Sequence, residues 1–211
     1  MSIEEHIRED ASAAPAPTLD LHEIQATVLR IRPAPYFGTH VVLHVDDALA
    51  GRELLRRLVP HVDSAAGWWK AKNAWISVGI SYAGLEAIGV PQESLRSFPE
   101  AFRVGMAARA RELRDEGVND PKTWEKGFAP GQMHVGVSAF SDSKEKWQRA
   151  LGIAREQYQG LSGVRVVAMQ DFGAQPGDLN PLGYKDGIDQ PPVEGSGTDP
   201  LPGQGRPIKA G

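Results

Sequence analysis

The sequence predicts a protein of the α+β class, and three observations support that prediction. Four segments show the two-residue apolar alternation of β-strands, and two intervening segments show the three-to-four-residue apolar spacing of helices that pack on a sheet. A longer helical stretch lies between the second and third strands. The resulting order is that of a ferredoxin-like βαββαβ fold, in which four mainly antiparallel strands carry helices on one face.

The first strand is predicted over residues 38–45, where apolar side chains recur at every second position. Its two faces are Val41, Leu43 and Val45 on one side and His40, Val42 and His44 on the other. A helix is predicted over residues 46–60, with Asp46 and Asp47 as candidate N-cap residues and Pro60 as its stop. Residues 73–80 alternate again and predict the second strand.

A helical insertion is predicted between the second and third strands. One helix is expected to end at Gly89, and another to run from Pro99 to Gly117, with Gly117 as its C-cap residue. The apolar side chains expected to share a face of this second helix are Phe102, Met106, Ala110 and Leu113. The insertion therefore belongs on one side of the sheet.

The third and fourth strands are predicted over residues 132–140 and 163–172, with a helix between them. Asp142 and Glu145 are expected to form a capping box at the start of that helix. The apolar side chains at helical spacing are Trp147, Ala150, Leu151, Ala154 and Tyr158. After residue 172 the pattern changes, because residues 173–211 contain 16 of the 39 glycines and prolines in the chain.

These patterns divide the chain into three parts. Residues 1–19 are expected to be a flexible lead-in, residues 20–172 a ferredoxin-like domain, and residues 173–211 an irregular loop segment. The last part is too long for an ordinary connection between elements, so it is expected to be functional, disordered or cut short.

Composition limits the classes of protein and of partner. The chain has 211 residues, 41% hydrophobic residues and a net charge of −4, which suits a globular protein and argues against a nucleic-acid surface. It has no cysteine, which excludes disulfides and thiolate ligands. The acidic N-terminus does not fit a secretory signal, and no apolar run reaches the roughly 18 to 20 residues of a membrane span. We therefore expect a cytoplasmic protein without a membrane partner.

The stretch LGYKDGIDQPP, residues 182–192, holds the candidate functional loop. Gly183 and Gly187 bracket Lys185 and Asp186, which allows the backbone to approach a bulky group closely and present a carboxylate. A plain Asp-Gly turn with surface charges fits the same residues. A third interpretation is a calcium loop over residues 178–189, but this matches the EF-hand pattern only in part, since Leu182 and Asp189 depart from it.

Other side chains invite functional interpretations, although structural roles are commoner for both types. The six histidines are candidates for an axial metal ligand: His6, His22, His40, His44, His61 and His134. The aromatic residues that could relay radicals are Trp68, Trp69, Trp75, Trp124, Trp147 and Tyr184. We expect all six histidines to have structural roles and the aromatic residues to serve packing.

The sequence GYKDG, residues 183–187, resembles the GxxDG motif of the dye-decolorising peroxidases, and NPLGYKDGIDQPPVEG is similar to that family over a longer stretch. Further similar stretches occur in the same order as in the family: DLHEIQATVLR, NAWISVGISYAGLEAIGVP, SFPEAFRVGMAARARELRDEG and RPIKAG. The resemblance covers residues 20–211.

The resemblance implies a heme peroxidase built from two ferredoxin-like halves, of which this chain is the N-terminal one. Asp186 carries over as the distal acid/base residue, with Gly187, Ile188 and Gln190 lining the distal edge of the heme. The heme b would lie mainly in the C-terminal half, with its axial His and a distal Arg beyond Gly211, so no residue of this chain is implied as a metal ligand. The chain alone is then expected to be inactive.

The partners implied by the resemblance are hydrogen peroxide and small aromatic electron donors, and a homo-oligomer is compatible with it. Two alternatives remain open. One is a heme-binding protein of the deferrochelatase type, which releases iron, and the other is a ferredoxin-like interaction module without enzymatic activity.

Overall fold

One four-stranded antiparallel sheet organises the chain. The computed structural model describes residues 19–29, 36–67, 74–174, 179, 182–184, 191–199 and 205–209. The strands are β1 (Tyr36–Val45), β2 (Ala74–Ile80), β3 (Val135–Ser141) and β4 (Val164–Ala174). They lie in the order β2–β3–β1–β4, and each neighbouring pair is antiparallel. This is the ferredoxin-like order, so the predicted α+β fold is confirmed.

Seven α-helices accompany the sheet in the described residues. They are α1 (Ala26–Leu29), α2 (Ala48–Leu58), α3 (Tyr82–Ala87), α4 (Gln92–Ser97), α5 (Glu100–Ala108), α6 (Ala110–Leu113) and α7 (Lys144–Tyr158). Short 3₁₀ helices lie at Val59–His61, Gly117–Asn119, Pro121–Thr123 and Lys126–Phe128. Helices α2 and α7 follow β1 and β3 as predicted, and α3 to α6 form the insertion. None of these helices is both long and apolar enough to cross a membrane.

The hydrophobic core lies where helices α2 and α7 pack on one face of the sheet. Val41, Leu43 and Val45 of β1 point into it, as the alternation predicts, and each is at most 3% exposed. The other buried members are Leu54, Leu58, Ile76, Ile88, Val135, Val137, Ala139, Ala150, Ala154 and Tyr158. Because full burial of one Val or Leu side chain contributes about 1.5–3 kcal/mol, this layer is a major source of stability.

Both ends of α2 follow from local sequence. Asp47, one of the two predicted candidates, is the N-cap residue, and its Oδ1 accepts a hydrogen bond of 2.8 Å from the Ala50 amide. The α-helix ends at Leu58, and Pro60 lies in the 3₁₀ helix that follows. Proline has no N–H to continue the helical hydrogen bonding, so the chain tightens and turns there.

The predicted capping box at the start of α7 is wrong. The N-cap residue is Ser143, and its side chain makes no capping hydrogen bond. Asp142 instead contacts the Ser141 hydroxyl through its Oδ1 at 3.3 Å. Glu145 forms an ion pair with Arg149 one turn along the helix, at 3.0 Å. Both predicted members of the box are therefore engaged in other local interactions.

Strand β3 begins at Val135 rather than at residue 132, because the backbone just before it is bonded to Ser81. The Ser81 hydroxyl donates to the Met133 carbonyl at 2.6 Å, and the Ser81 amide donates to the His134 carbonyl at 3.0 Å. The same hydroxyl caps α3 by accepting from the Gly84 amide at 3.0 Å. Ser81, which follows β2 directly, thus bonds both to the first turn of α3 and to the two residues that precede β3.

The second helix of the insertion is not continuous, contrary to the prediction. Gly105 has a φ of +73° and interrupts it, and α6 ends at Leu113, followed by the C-cap residue Arg114, whose φ of +59° is left-handed. Gly117 is therefore not the C-cap residue, and it lies in a 3₁₀ helix instead. Helix α4 was not predicted. The side chains expected to share a face stay partly exposed, namely Phe102 (38%), Met106 (62%) and Leu113 (41%).

Strand β4 contains one residue more than its partner strand at a β-bulge. Val42 and Leu43 are consecutive in β1, but they lie opposite Ala168 and Val166, so Val167 has no partner in the ladder. An extra residue of this kind changes which face of the sheet the following side chains point to.

The outer edge of β2 is hydrogen-bonded by the side chain of Gln25, in place of a further strand. The Gln25 amide donates to the Val78 carbonyl at 2.8 Å and accepts from the Val78 amide at 2.9 Å. Gln25 also forms an isolated bridge with Ser64, which holds the 19–29 segment against the domain. These contacts satisfy edge groups that would otherwise be open to another strand.

We expect Gln25→Ala to lower the free energy of unfolding by about 1–2 kcal/mol, because two hydrogen bonds to Val78 are lost. Amide exchange at Val78 should rise in the same variant. Urea unfolding and hydrogen exchange provide the measurements. The exposed Gln148 of α7 offers a matched control, and Gln148→Ala should leave both values unchanged. Equal effects of the two substitutions would contradict the proposed role of Gln25.

Candidate functional site

The residues predicted to carry the chemistry lie in a loop whose two ends the structure describes. Asp186, Gly187, Ile188 and Gln190 themselves lie outside the described residues, as do most residues of the alternative calcium loop. Strand β4 leads into the loop, and residues 191–199 lead out of it. The structure therefore describes the two ends of this segment and not the candidate residues between them.

On the helix-bearing face, the end of β4 is tied to β1 and α7 by a chain of side-chain hydrogen bonds. Thr39 lies opposite Asp171 in the ladder, and its hydroxyl donates to Asp171 Oδ1 at 2.7 Å. The indole N–H of Trp147 donates to the same hydroxyl at 3.1 Å. Thr39 is only 1% exposed, so its hydroxyl connects two neighbouring elements within the protein interior.

On the opposite face, an aromatic ring from β4 packs into a notch in β1. Phe172 lies opposite Gly38, where a Cβ atom would collide with the ring. The Phe172 ring stacks on His40 with centroids 4.0 Å apart and meets Tyr36 edge-on at 6.0 Å. Glycine at position 38 therefore lets the last residues of β4 lie closely on β1 from this side as well.

The first glycine of the GYKDG motif has a backbone that favours glycine. Gly183 has a φ of +85°, in the region that other residues adopt rarely. A Cβ atom built there would meet nothing within 4 Å, so the requirement comes from the backbone conformation and not from crowding. The neighbouring Leu182 and Tyr184 are 82% and 70% exposed in this chain.

The exit of the loop is bonded to the last described segment of the chain. Val193 and Ile208 form a parallel bridge, in which the Glu194 amide donates to the Ile208 carbonyl at 2.8 Å. The Ile208 amide donates to the Pro192 carbonyl at the same distance. Ser196, in the turn that follows, is 1% exposed. Two stretches noted separately in the sequence, the exit of the loop and RPIKAG, are thus brought together.

Three of the histidines are engaged in the sheet or beside it. His40 Nδ1 lies 2.7 Å from the Ser138 hydroxyl, His44 Nδ1 lies 3.0 Å from the Gln132 carbonyl, and His134 Nδ1 accepts from the Val45 amide at 3.1 Å. Burial, and the neighbouring His44, lower the pKa of His134. These contacts favour the structural role expected from sequence. His6 lies outside the described residues.

The described part of the chain contains no group of three or more His, Asp or Glu side chains placed to hold a metal ion. A surface cavity of about 330 Å³ lies between residues 22–25, the end of α2 and the outer strand β2. Its lining is mainly aliphatic, with Leu55, Val62 and Val78 among the contributors, and it includes no residue of β4 or of the loop.

The aromatic residues fall into two groups. Trp75 stacks on Phe140 with centroids 5.4 Å apart, and the indole N–H groups of Trp124 and Trp147 are hydrogen-bonded. These three are consistent with packing roles, while Tyr184 is mostly exposed. Trp68 and Trp69 lie outside the described residues.

Solved structures of dye-decolorising peroxidases are similar to this chain. An ancestral D-type enzyme matches with a TM-score of 0.77 and 26% identity, over 92% of this chain and 44% of its own. A mutant of the enzyme from Pleurotus ostreatus gives 0.73 and 23%, over 91% and 44%, and the enzyme from Auricularia auricula-judae gives 0.73 and 20%, over 92% and 42%. The resemblance noted in the sequence is thereby confirmed by the structure.

The chain spans less than half the length of these structures. No protein-family model matches its sequence, and no curated protein does.

We expect Thr39→Val to lower the free energy of unfolding by about 1 kcal/mol, because the hydroxyl that joins Asp171 and Trp147 is lost while the side-chain volume is kept. Amide exchange at the end of β4, residues 171–174, should rise. Thr39→Ser, which keeps the hydroxyl, is the matched control and should retain the wild-type exchange at these residues. The opposite ranking of the two variants would show that the methyl group, not the hydroxyl, matters.

Proposed function

We propose that this chain forms the N-terminal half of a heme peroxidase of the dye-decolorising type, which reduces hydrogen peroxide and oxidises dye-like or phenolic donors. The observation that carries the proposal is the match of fold over about nine-tenths of the chain, together with GYKDG in the loop after β4. The structures it matches are those of enzymes. Because the chain spans less than half their length, the activity is proposed for the longer protein.

The residues present fit a heme whose axial ligand comes from outside the described chain. His40, His44 and His134 each have a ring nitrogen engaged with another group of the domain, which supports an axial ligand from elsewhere. A carboxylate on a glycine-bracketed loop suits the other side of a heme, where an acid/base group is needed. We propose heme b as the cofactor, with Gly187, Ile188 and Gln190 beside its distal edge.

The heme would supply the iron at which peroxide binds and the O–O bond breaks. Asp186 would accept one proton of hydrogen peroxide and return it to the oxygen atom that leaves as water. A carboxyl group with an ordinary pKa of about 3.9 remains a base in mildly acidic solution, where a histidine with a pKa near 6.5 is protonated. Asp186 is therefore the residue of this chain proposed to be catalytic.

The location and the assembly of the protein are also proposals. We propose a cytoplasmic location, with which a sequence without cysteine is compatible. The exposed apolar side chains of α5 and α6 are compatible with a homo-oligomer, but they do not select one.

In the full-length protein, we expect Asp186→Asn to bind heme normally and to react with hydrogen peroxide about 10²- to 10⁴-fold more slowly, because the amide keeps the size but loses the basicity. Stopped-flow absorbance of the heme measures the rate, and the Soret band measures binding. Asp189→Asn, three residues along the same loop, is the matched control and should react at the wild-type rate.

Three outcomes would redirect the proposal. An unchanged rate in Asp186→Asn would leave this aspartate structural and assign the proton transfer to another group. A protein that binds heme and releases its iron, but does not oxidise a dye with peroxide, would support the deferrochelatase-like alternative. A full-length protein that binds no heme would support the interaction module.

Residues 1–211 expressed alone should not form an active heme enzyme, because the axial ligand and most of the pocket are assigned to the missing part. Hemin titration followed by a dye-oxidation assay provides the measurement. A saturable Soret shift at one equivalent, with dye oxidation that Asp186→Asn abolishes, would contradict this expectation. His134 and His44 would then be the first residues to replace.

A further inference from the structure

Two histidine rings stack at the corner where β1 ends and β3 begins. His44 is the penultimate residue of β1, and His134 immediately precedes β3. Their ring centroids are 3.9 Å apart, with an angle of 25° between the planes. His134 is 8% exposed, so the pair is largely shielded from water on that side.

The shorter contact of His134 Nδ1 fits a neutral ring. Nδ1 lies 3.1 Å from the Val45 amide, and a ring nitrogen that accepts a hydrogen bond from this amide cannot carry a proton. The proton of the neutral ring is then on Nε2, and the backbone of Gly131 is a further hydrogen-bond partner of the ring. A second proton on Nδ1 would turn this atom into a donor toward the Val45 carbonyl, 3.2 Å away, and the amide would lose its acceptor.

His44 is the ring of the pair that faces a carboxylate. Its Nδ1 lies 3.0 Å from the Gln132 carbonyl, which can only accept, so this nitrogen carries a hydrogen. Its Nε2 lies 3.4 Å from Asp46 Oδ1. Arg165 is a further charged group at this corner, and its Nε contacts Asp46 Oδ2 at 3.0 Å. The Asp46 carboxylate therefore lies between the ring of His44 and the guanidinium of Arg165.

Backbone contacts of three elements converge on His134. Its amide donates to the Leu43 carbonyl at 3.0 Å, and its carbonyl accepts from the Ser81 amide at 3.0 Å. Gly84 of α3 packs so closely against that carbonyl that a Cβ atom would collide with it. A displacement of His134 would consequently disturb the end of β1, the start of β3 and the first turn of α3.

We propose that the stacked His44–His134 pair is an acid-operated latch, closed while His134 is neutral and opened when its Nδ1 gains a proton. The Val45 amide then loses its acceptor, and His134 becomes a cation 3.9 Å from the ring of His44. The proposal concerns the described domain alone and does not depend on the peroxidase activity.

The direction of the pH effect follows from the pKa of His134, which burial and the neighbouring His44 lower from its usual value near 6.5. The unfolded chain then binds more protons than the native one between the two pKa values. The contribution of the neutral ring to stability is complete above about pH 6.5 and is lost as the pH falls toward the lower, native-state value.

Hydrogen exchange of the full-length protein at pH 7.5 and pH 5.0, corrected for intrinsic rates, tests the latch. In the wild type we expect protection at residues 43–46 and 133–136 to fall at least tenfold at the lower pH, while protection at residues 39–41 is kept. His134→Asn keeps an acceptor for the Val45 amide but does not titrate, so it should lose this local response. His22→Asn, at an exposed histidine, should retain it.

Equal protection of the wild-type corner at both pH values would overturn the proposal, and so would an undiminished acid response in His134→Asn. If that variant does not fold, ¹⁵N chemical shifts of the histidine rings in the wild type decide instead. At pH 7.5 His134 should be neutral with its proton on Nε2. It should gain a second proton only at a pH below the usual histidine pKa of about 6.5. A cationic His134 at pH 7.5, or a neutral ring protonated on Nδ1, would contradict the latch.

Discussion

Strand β1 pairs along both of its edges, and the rest of the domain depends on that double pairing. Its partners β3 and β4 both lie far from it in sequence, and α7, which connects these two strands, is placed by where β1 holds them. One face of β1 supplies the aliphatic centre of the core. The other face supplies Gly38 and His40, against which Phe172 packs. A shift of one residue in β1 would exchange these two faces and remove both sets of contacts.

The position of the proposed site also depends on β1. Thr39 and Gly38 are consecutive, and they hold the end of β4 from opposite faces of the sheet, through a hydrogen bond to Asp171 and a notch for Phe172. The loop with Asp186 begins a few residues later. At its far end, the bridge between Val193 and Ile208 closes the segment on itself. The described residues on either side of Asp186 are thus hydrogen-bonded, to β1 on one side and to residue 208 on the other, and the proposed acid/base role would need such support to hold a carboxylate at a fixed distance from its substrate.

The elements that sequence predicted well are those specified by local pattern. Alternation located all four strands to within a few residues, and Asp47 and Pro60 marked both ends of α2. The errors arose where a distant group intervened. Ser81 bonds to the Met133 carbonyl just before β3, and the strand begins at Val135, later than predicted. Gly105 interrupts a helix that apolar spacing alone would continue. The stacking of His44 on His134 and the bridge to Ile208 join residues far apart in the chain, and no periodicity signals such pairings. The roles of the motif residues in the loop were implied by a family resemblance, and these roles stay predictions.

The β-bulge at Val167 has a consequence for how a deletion in β4 would be tolerated. Ahead of the bulge Val164 and Val166 lie opposite Val45 and Leu43 in the ladder, and Arg165 between them contacts Asp46. Beyond the bulge Met169 and Asp171 lie opposite Val41 and Thr39. The residues that face the same side of the sheet are therefore even-numbered before Val167 and odd-numbered after it. Deleting Val167 would leave every other residue of β4 opposite its present partner, so both flanks would keep their faces and form one regular strand, whereas a deletion within either flank would turn the residues between it and the bulge to the wrong side of the sheet.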